Sequence, residues 1–301
     1  MKISMSVALL SCLLINRPVG LLAEADSDPI ARAIASANLA VHHRRNSRFV
    51  EAEKYFRITY QLRCEALGPD HTDTAIALNN LADLETTLAR YEDAEQHFRQ
   101  ALSAPNLTTV DRIAIRNNLG NLLRMQGRFA EAQHQFNENP RDAISLNNLA
   151  RLAEDQNQFG EAVQLYQAAL AISPTCAIQA NLGRLHLRLG NLRESRNFLE
   201  SAMAQQPTVA ERMVMLQSMA ALLLAENRVV DSVATFRSAL ELRQQVFATA
   251  HPELVPLLTD FAVALKQYGE GRKAKELETR ARKLSVQMEQ SRPNVHWRAL
   301  R

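Results

Sequence analysis

Asparagine pairs recur along the 301-residue chain, and the chemistry that they could do is non-covalent recognition. The string NNLA at residues 147–150 also occurs at 79–82, returns as NNLG at 117–120 and is half kept as ANLG at 180–183. A carboxamide donates and accepts hydrogen bonds at once, which suits the alternating N–H and C=O groups of an extended peptide. Arginines follow within two helical turns, and a guanidinium favours an acidic side chain or a carboxylate.

Sequence signatures of catalysis and of metal binding are weak. The chain contains no CxxC pair, no HExxH and no GxSxG. The string GEGRKA at 269–274 has the loose form of a dinucleotide-binding glycine motif, but it follows a helical pattern where that motif needs a strand. The neighbouring His42 and His43 diverge by about 100° on a helix and do not easily chelate one metal ion. The sequence therefore predicts a protein that is not an enzyme and has no cofactor and no metal site.

An internal repeat reveals the elements that must position the asparagines. A small residue occurs seven times, and another small residue always follows twelve positions later. Four positions further on, six of the seven repeats carry a bulky Phe, Tyr or Leu, and the seventh carries Glu278. The seven pairs of small residues are Ala40/Ala52, Ala82/Ala94, Gly120/Ala132, Ala150/Ala162, Gly183/Ser195, Ala220/Ser232 and Ala262/Ala274.

The spacing within repeats is fixed and the spacing between them varies. This pattern indicates rigid two-helix hairpins that are joined by connections of variable length. The small residues would let the two helices approach closely. Each hairpin is apolar on two sides and cannot bury both alone, so we expect neighbouring hairpins to stack into an all-α protein. The predicted hairpins lie near residues 30–66, 72–104, 110–139, 141–173, 175–206, 209–247 and 252–287.

The repeats carry a family resemblance. Residues 144–174, ISLNNLARLAEDQNQFGEAVQLYQAALAISP, resemble a tetratricopeptide repeat, including the closing Pro174. Residues 68–102 resemble the longer variant of kinesin light chains, and residues 250–265 reuse its His-Pro boundary. The resemblance covers roughly residues 30–285. It implies a right-handed α-solenoid of about seven hairpins whose first helices line a concave groove, usually for a protein or peptide.

The asparagines are expected on the groove side of these helices. A helix turns about 100° per residue, so Leu146, Leu149 and Ala150 cluster towards the core while Asn147 and Asn148 point away. A second interpretation stays open, in which the amides bond between neighbouring hairpins. The family's chaperone-tail clamp is incomplete, because its lysine position is apolar here. The predicted groove residues are Asn80, Asn117, Asn118, Asn121, Arg124, Asn147, Asn148, Arg151, Asn181, Arg184 and Arg188.

The N-terminus differs in composition from the rest. Lys2, an apolar run from Ile3 to Ile15 and the small-x-small string AEA at 23–25 predict a secretory signal over residues 1–25. Alternatives are a lipid anchor on Cys12, within LLSC at 9–12, or a core helix. The run is too short to span a bilayer of ~30 Å. We expect an exported protein, periplasmic or secreted, with a solenoid over residues 26–287 and a loose tail over 288–301.

Two further features make structural predictions. Three hairpins separate Cys64 from Cys176, which places the two residues on the order of 30 Å apart. No disulfide is expected between them, because a disulfide needs Cα atoms within about 7 Å. Hairpin three is predicted to have a short second helix, because the string NENP at 137–140 stops it early.

Composition narrows the function. The formal net charge is +3, and no run of five or more basic residues occurs, which argues against nucleic-acid binding. We expect a non-catalytic scaffold that binds an extended protein or peptide segment, with acidic character favoured by the arginines, in the concave Asn/Arg surface. The alternative is a structural or oligomerisation component of a cell-envelope assembly that uses its convex face or end caps.

Overall fold

The computed structural model describes residues 28–45, 48–138, 142–246 and 254–291. The predicted signal at 1–25, Cys12 and the last ten residues lie outside these ranges. The described residues contain fourteen helices and no strand, which confirms the all-α prediction. The helices are α1 Pro29–Arg45, α2 Phe49–Leu67, α3 Thr72–Thr87, α4 Tyr91–Leu102, α5 Thr109–Met125, α6 Phe129–Asn137, α7 Ala143–Asp155, α8 Phe159–Ile172, α9 Cys176–Arg188, α10 Leu192–Ala204, α11 Val209–Ala225, α12 Val229–Val246, α13 Leu254–Tyr268 and α14 Gly271–Ser291.

Consecutive helices pair as seven hairpins, α1 with α2 through to α13 with α14. The chain divides into two compact units, with the boundary in sequence between Ile115 and Arg116. Unit one holds the first two hairpins and the beginning of α5. Unit two holds the rest of α5 and the remaining helices.

The repeated small residues lie at the closest contacts within hairpins. In unit one, Ala40 and Ala52 are completely buried, and Phe56 is buried beside them. In unit two, Ala150, Ala162 and Tyr166 are completely buried and belong to one apolar cluster. Because a larger side chain at the small positions would push the two helices apart, the twelve-residue interval is set by this contact.

Each described turn between the two helices of a hairpin contains one residue in the left-handed region. The six turns of hairpins two to seven all follow this rule. Glycine and asparagine adopt this conformation most easily, and only Ala89 departs from them. The residues are Ala89 (φ 59°), Gly127 (77°), Asn157 (60°), Gly190 (77°), Asn227 (61°) and Gly269 (93°). Gly269 and Glu270 of the string GEGRKA form the turn between α13 and α14, and the rest of the string begins α14.

Capping side chains start several helices. The Asp142 carboxylate accepts a hydrogen bond from the backbone N–H of Ser145 at 2.9 Å, at the beginning of α7. Thr208 and Glu211 form a reciprocal capping box at the beginning of α11. Such caps satisfy backbone N–H groups that have no partner in the first turn.

The predicted truncation of hairpin three is confirmed. Helix α6 has nine residues and is the shortest described helix. Cys64 and Cys176 are both free thiols. None of the described helices combines the length and the apolar character needed to cross a bilayer.

We predict that two glycine-to-alanine substitutions in unit two change stability in opposite directions. A Cβ on Gly120 would overlap the buried Phe136 ring, so Gly120→Ala should lower the free energy of unfolding by about 1–3 kcal/mol. Gly160 has nothing within 4 Å of the corresponding atom, so Gly160→Ala should raise it by about 0.5–1 kcal/mol. Urea denaturation monitored by circular dichroism measures both. Equal effects of the two substitutions would contradict the close approach at Gly120.

Candidate functional site

Ten of the eleven predicted groove residues lie in unit two, on the first helices of hairpins three to five, α5, α7 and α9. We call this set the α5–α7–α9 surface. In unit one, Asn80 is half-buried on α3. Its neighbour Asp83 forms an ion pair with Arg44 of α1 at 2.5 Å.

Two of the predicted groove asparagines are buried between hairpins. Asn117 and Asn148 are 4% and 3% exposed. The Asn148 Nδ2 group donates to Asn117 Oδ1 at 3.2 Å, and the Ser145 hydroxyl donates to the same oxygen at 3.3 Å. The expectation that these two amides line the open groove is therefore wrong. They connect α5 to α7, because a buried amide needs a hydrogen-bond partner that water cannot supply there.

A second amide pair repeats this arrangement one hairpin further on. The Asn181 Nδ2 group of α9 donates to Asn147 Oδ1 of α7 at 2.9 Å. Both side chains are half-buried and so retain contact with the surface. Asn118 and Asn121 are also half-buried, and these four amides form the accessible part of the predicted ladder.

A buried carboxylate organises the arginines at the far end of these helices. Glu154, only 3% exposed, accepts a hydrogen bond from the Tyr166 hydroxyl at 2.6 Å. It also receives Arg184 Nη2 at 3.0 Å and Arg188 Nη1 at 3.4 Å. Burial, followed by the nearby Glu154 charge, raises the pKa of Tyr166, so its hydroxyl remains a donor at neutral pH.

Sequence reasoning missed Glu154. Tyr166 fills the bulky position that is Phe in four of the other hairpins, and this difference was the available signal. A tyrosine hydroxyl in a buried position needs an acceptor. The cost of burying Glu154 is offset by its hydroxyl partner and two guanidinium groups.

Arg151 differs from the arginines around it. Arg124 forms an ion pair with Asp155, and Arg184 is paired with Glu154. No carboxylate of the described residues lies within ion-pair distance of Arg151. Burial lowers the pKa of Arg151, and the charges of Arg124 and Arg184 lower it further. Arg151 as a whole residue is half-buried.

Burial also leaves hydrogen-bonding capacity unused along α5. Within the described part of the chain, Asn117 Nδ2, Asn121 Oδ1 and Arg124 Nε are buried without a hydrogen-bond partner. Each such atom costs about 1–3 kcal/mol. Arg124, which carries one of these atoms, is near enough to Arg151 for its charge to lower the pKa of Arg151.

Comparisons with known proteins agree with this architecture. Three family models described as tetratricopeptide repeat match residues 31–106, 117–175 and 153–222. A curated relative, Tetratricopeptide repeat protein 21B of Mus musculus, is 23% identical over 141 residues, which are 44% of this chain and 11% of the relative. The chain therefore spans about a tenth of that relative's length.

Solved structures are similar in fold at low sequence identity. The Rap conjugation gene regulator of plasmid pLS20, in complex with the Phr* peptide, has a TM-score of 0.70 at 13% identity and covers 93% of this chain and 82% of its own. The Cut9–Hcn1 hetero-tetramer of the APC/C has a TM-score of 0.59 at 15% identity, with 89% and 48% covered. A tetratricopeptide repeat protein from Parabacteroides merdae has a TM-score of 0.51 at 17% identity, with 86% and 97% covered.

We predict that Asn148→Ala lowers the free energy of unfolding by about 1–3 kcal/mol, because it removes one of the two donors to Asn117 Oδ1 and leaves a cavity. Asn197 is exposed on α10, so Asn197→Ala should be neutral or slightly stabilising. Urea denaturation compares the two substitutions. If they had the same effect, the buried amide bond would contribute nothing to the α5–α7 interface.

Proposed function

We propose that this chain, which belongs to the tetratricopeptide repeat family, is a non-catalytic scaffold that captures an extended peptide segment of a partner protein. The repeat models cover residues 31–106 and 117–222 between them. The α5–α7–α9 surface of unit two is the proposed binding site. The similar fold of the peptide-bound Rap regulator supports a peptide as the ligand.

The observation that carries the proposal is the unpaired charge of Arg151. Four arginines of the surface, Arg124, Arg151, Arg184 and Arg188, face two carboxylates, Glu154 and Asp155. The local charge therefore has an excess of two positive charges. A carboxylate from the ligand would supply the missing counter-ion, and its ion pair with a desolvated guanidinium is stronger than one at an open surface.

The neighbouring side chains suit the rest of a peptide. The half-buried amides of Asn118, Asn121, Asn147 and Asn181 can bond to peptide N–H and C=O groups. Ile144 lies two turns before Arg151 on the same face of α7 and is 60% exposed, so it offers an apolar contact. The proposed ligand is an extended segment with an acidic group next to an apolar side chain.

Export of the protein belongs to the same proposal. Residues 1–25 lie outside the described part of the chain, so their sequence pattern is the support. Under this proposal the partner's segment would be met outside the cytoplasm.

Arg151→Gln tests the proposed site. Peptides selected for binding to the purified chain from a random 12-residue display library should be enriched in Asp and Glu. Arg151→Gln should weaken the binding of the selected peptides about tenfold to a hundredfold, because a hydrogen bond to a charged group contributes about 1.5–3 kcal/mol. Fluorescence anisotropy at constant ionic strength measures the affinities.

Two controls separate binding from folding. Arg237→Gln removes the same charge from an exposed position on α12 and should leave the affinity unchanged. Arg151→Gln itself should not lower the melting temperature, because it removes an unpaired and partly desolvated cation. Equal affinities of the two variants, or selected peptides without acidic residues, would overturn the proposed site.

A further inference from the structure

Unit two contains a cavity away from the α5–α7–α9 surface. Its volume is about 110 Å³, and it lies between α6, α7 and α8. None of the predicted groove residues lines it. The floor is apolar and consists of Leu149, Leu152, Ala153 and Leu165. The rim is polar and consists of Gln133, Asn137, Gln156, Gln158 and Glu161.

The cavity lies next to the end of the short helix α6, since Asn137 is both the last residue of α6 and a lining residue. Helix α6 has nine residues, whereas the second helix of the next hairpin, α8, has fourteen. Leu149 of the floor is 8% exposed, compared with 2% for Leu152.

The equivalent place between hairpins five and six is occupied by an arginine. Arg196 of α10 donates from Nε to Glu226 at 3.1 Å and from Nη1 to Glu200 at 2.9 Å. This guanidinium lies across the boundary between the two hairpins, with one carboxylate from each.

Between hairpins three and four, neutral amides occupy the same three repeat positions. Gln133 corresponds to Arg196, Asn137 to Glu200 and Gln156 to Glu226 in the alignment of the small residues. All three side chains are exposed, and their amides make no hydrogen bond within the described part of the chain. The boundary between hairpins three and four therefore lacks the guanidinium that Arg196 supplies between hairpins five and six.

A second cation is also missing at the rim. In hairpin three, Arg128 forms an ion pair with Glu131 at 2.6 Å. Arg228 and Asp231 form the same pair at 2.6 Å in hairpin six. These pairs connect the residue before the second helix to an acidic residue in the first turn of that helix.

Hairpin four keeps the carboxylate of this pair and lacks the arginine. Its residue equivalent to Arg128 is Gln158, while Glu161 corresponds to Glu131. Glu161 is exposed and has no ion-pair partner among the described residues. The rim thus combines one uncompensated carboxylate with four side-chain amides over an apolar floor.

We propose that this cavity binds the arginine side chain of a protein partner. The aliphatic stem would pack on Leu149, Leu152 and Leu165, as long cationic side chains do on apolar surface. The guanidinium would pair with Glu161 and donate to the amide oxygens of the rim, which its five N–H donors allow.

The experiment is a titration of the ¹⁵N-labelled chain with N-acetyl-arginine amide, followed in the side-chain amide region of the NMR spectrum. The resonances of Gln133, Gln156 and Gln158 should shift with a dissociation constant on the order of a millimolar. The amides of N-acetyl-lysine and N-acetyl-leucine serve as comparison probes and should cause smaller shifts at the same concentration and ionic strength.

Three variants complete the test. Glu161→Gln should weaken the response roughly two- to fivefold, whereas Glu241→Gln, an exposed carboxylate on α12, should not change it. Gln158→Arg should abolish the response, because its own guanidinium would pair with Glu161 as Arg128 pairs with Glu131. Backbone spectra show whether each variant remains folded.

Several results would overturn the proposal. An equal response to the leucine amide would mean an apolar pocket without charge recognition, and an equal response to the lysine amide would exclude selectivity for guanidinium. Shifts that remain undiminished in Glu161→Gln and Gln158→Arg, or that spread evenly over the surface, would place the interaction elsewhere. None of these outcomes depends on peptide capture at Arg151.

Discussion

Close contact between two helices at one small residue is the constraint on which each hairpin depends. Where that residue is glycine, as at Gly120 and Gly183, even a methyl group would collide with the bulky residue of the second helix. The bulky residue lies sixteen positions after the small one, and the chain between them must therefore keep its register. The left-handed residue in the turn serves this register, because it reverses the chain in the few residues available. The second helices vary in length beyond this interval, from nine residues in α6 to twenty-one in α14, and so do the connections between hairpins.

Polar groups buried between hairpins give unit two its specificity. An apolar interface alone would allow neighbouring hairpins to slide, whereas Asn117 with Asn148, and Asn147 with Asn181, join at single positions. The Glu154 carboxylate adds a third connection by holding Tyr166 of its own hairpin and Arg184 of the next. Arg151 remains the arginine of this surface that has no ion pair with a carboxylate of the described residues, whereas Arg124, Arg184 and Arg188 each have one.

The fold could be predicted from the sequence to the level of individual helices, because the repeat is a local pattern. Small and bulky residues at fixed offsets indicate which faces pack, and the string NENP indicates where α6 ends. The surface could be predicted only in part. Helical geometry places Asn147 and Asn148 on the same side, yet one lies half-buried and the other 3% exposed. The difference in burial depends on how close each side chain is to the preceding hairpin, and the spacing of residues in the sequence does not predict that distance. The same holds for the arginines, since pairing with Glu154 or Asp155 is decided across hairpins. The kinesin-light-chain resemblance and the handedness of the solenoid remain predictions.

The buried amide bond between α5 and α7 has a consequence for how such a chain can diversify. A hairpin that carries leucine where Asn148 lies could keep the contact between its own two helices, but it would leave Asn117 without its main donor when placed after hairpin three. A complementary pair of amides thus makes two successive hairpins compatible. It limits which hairpins can follow one another when repeats are duplicated or exchanged. The order of hairpins along the chain therefore depends on a few polar atoms, because the apolar contacts alone would allow almost any order.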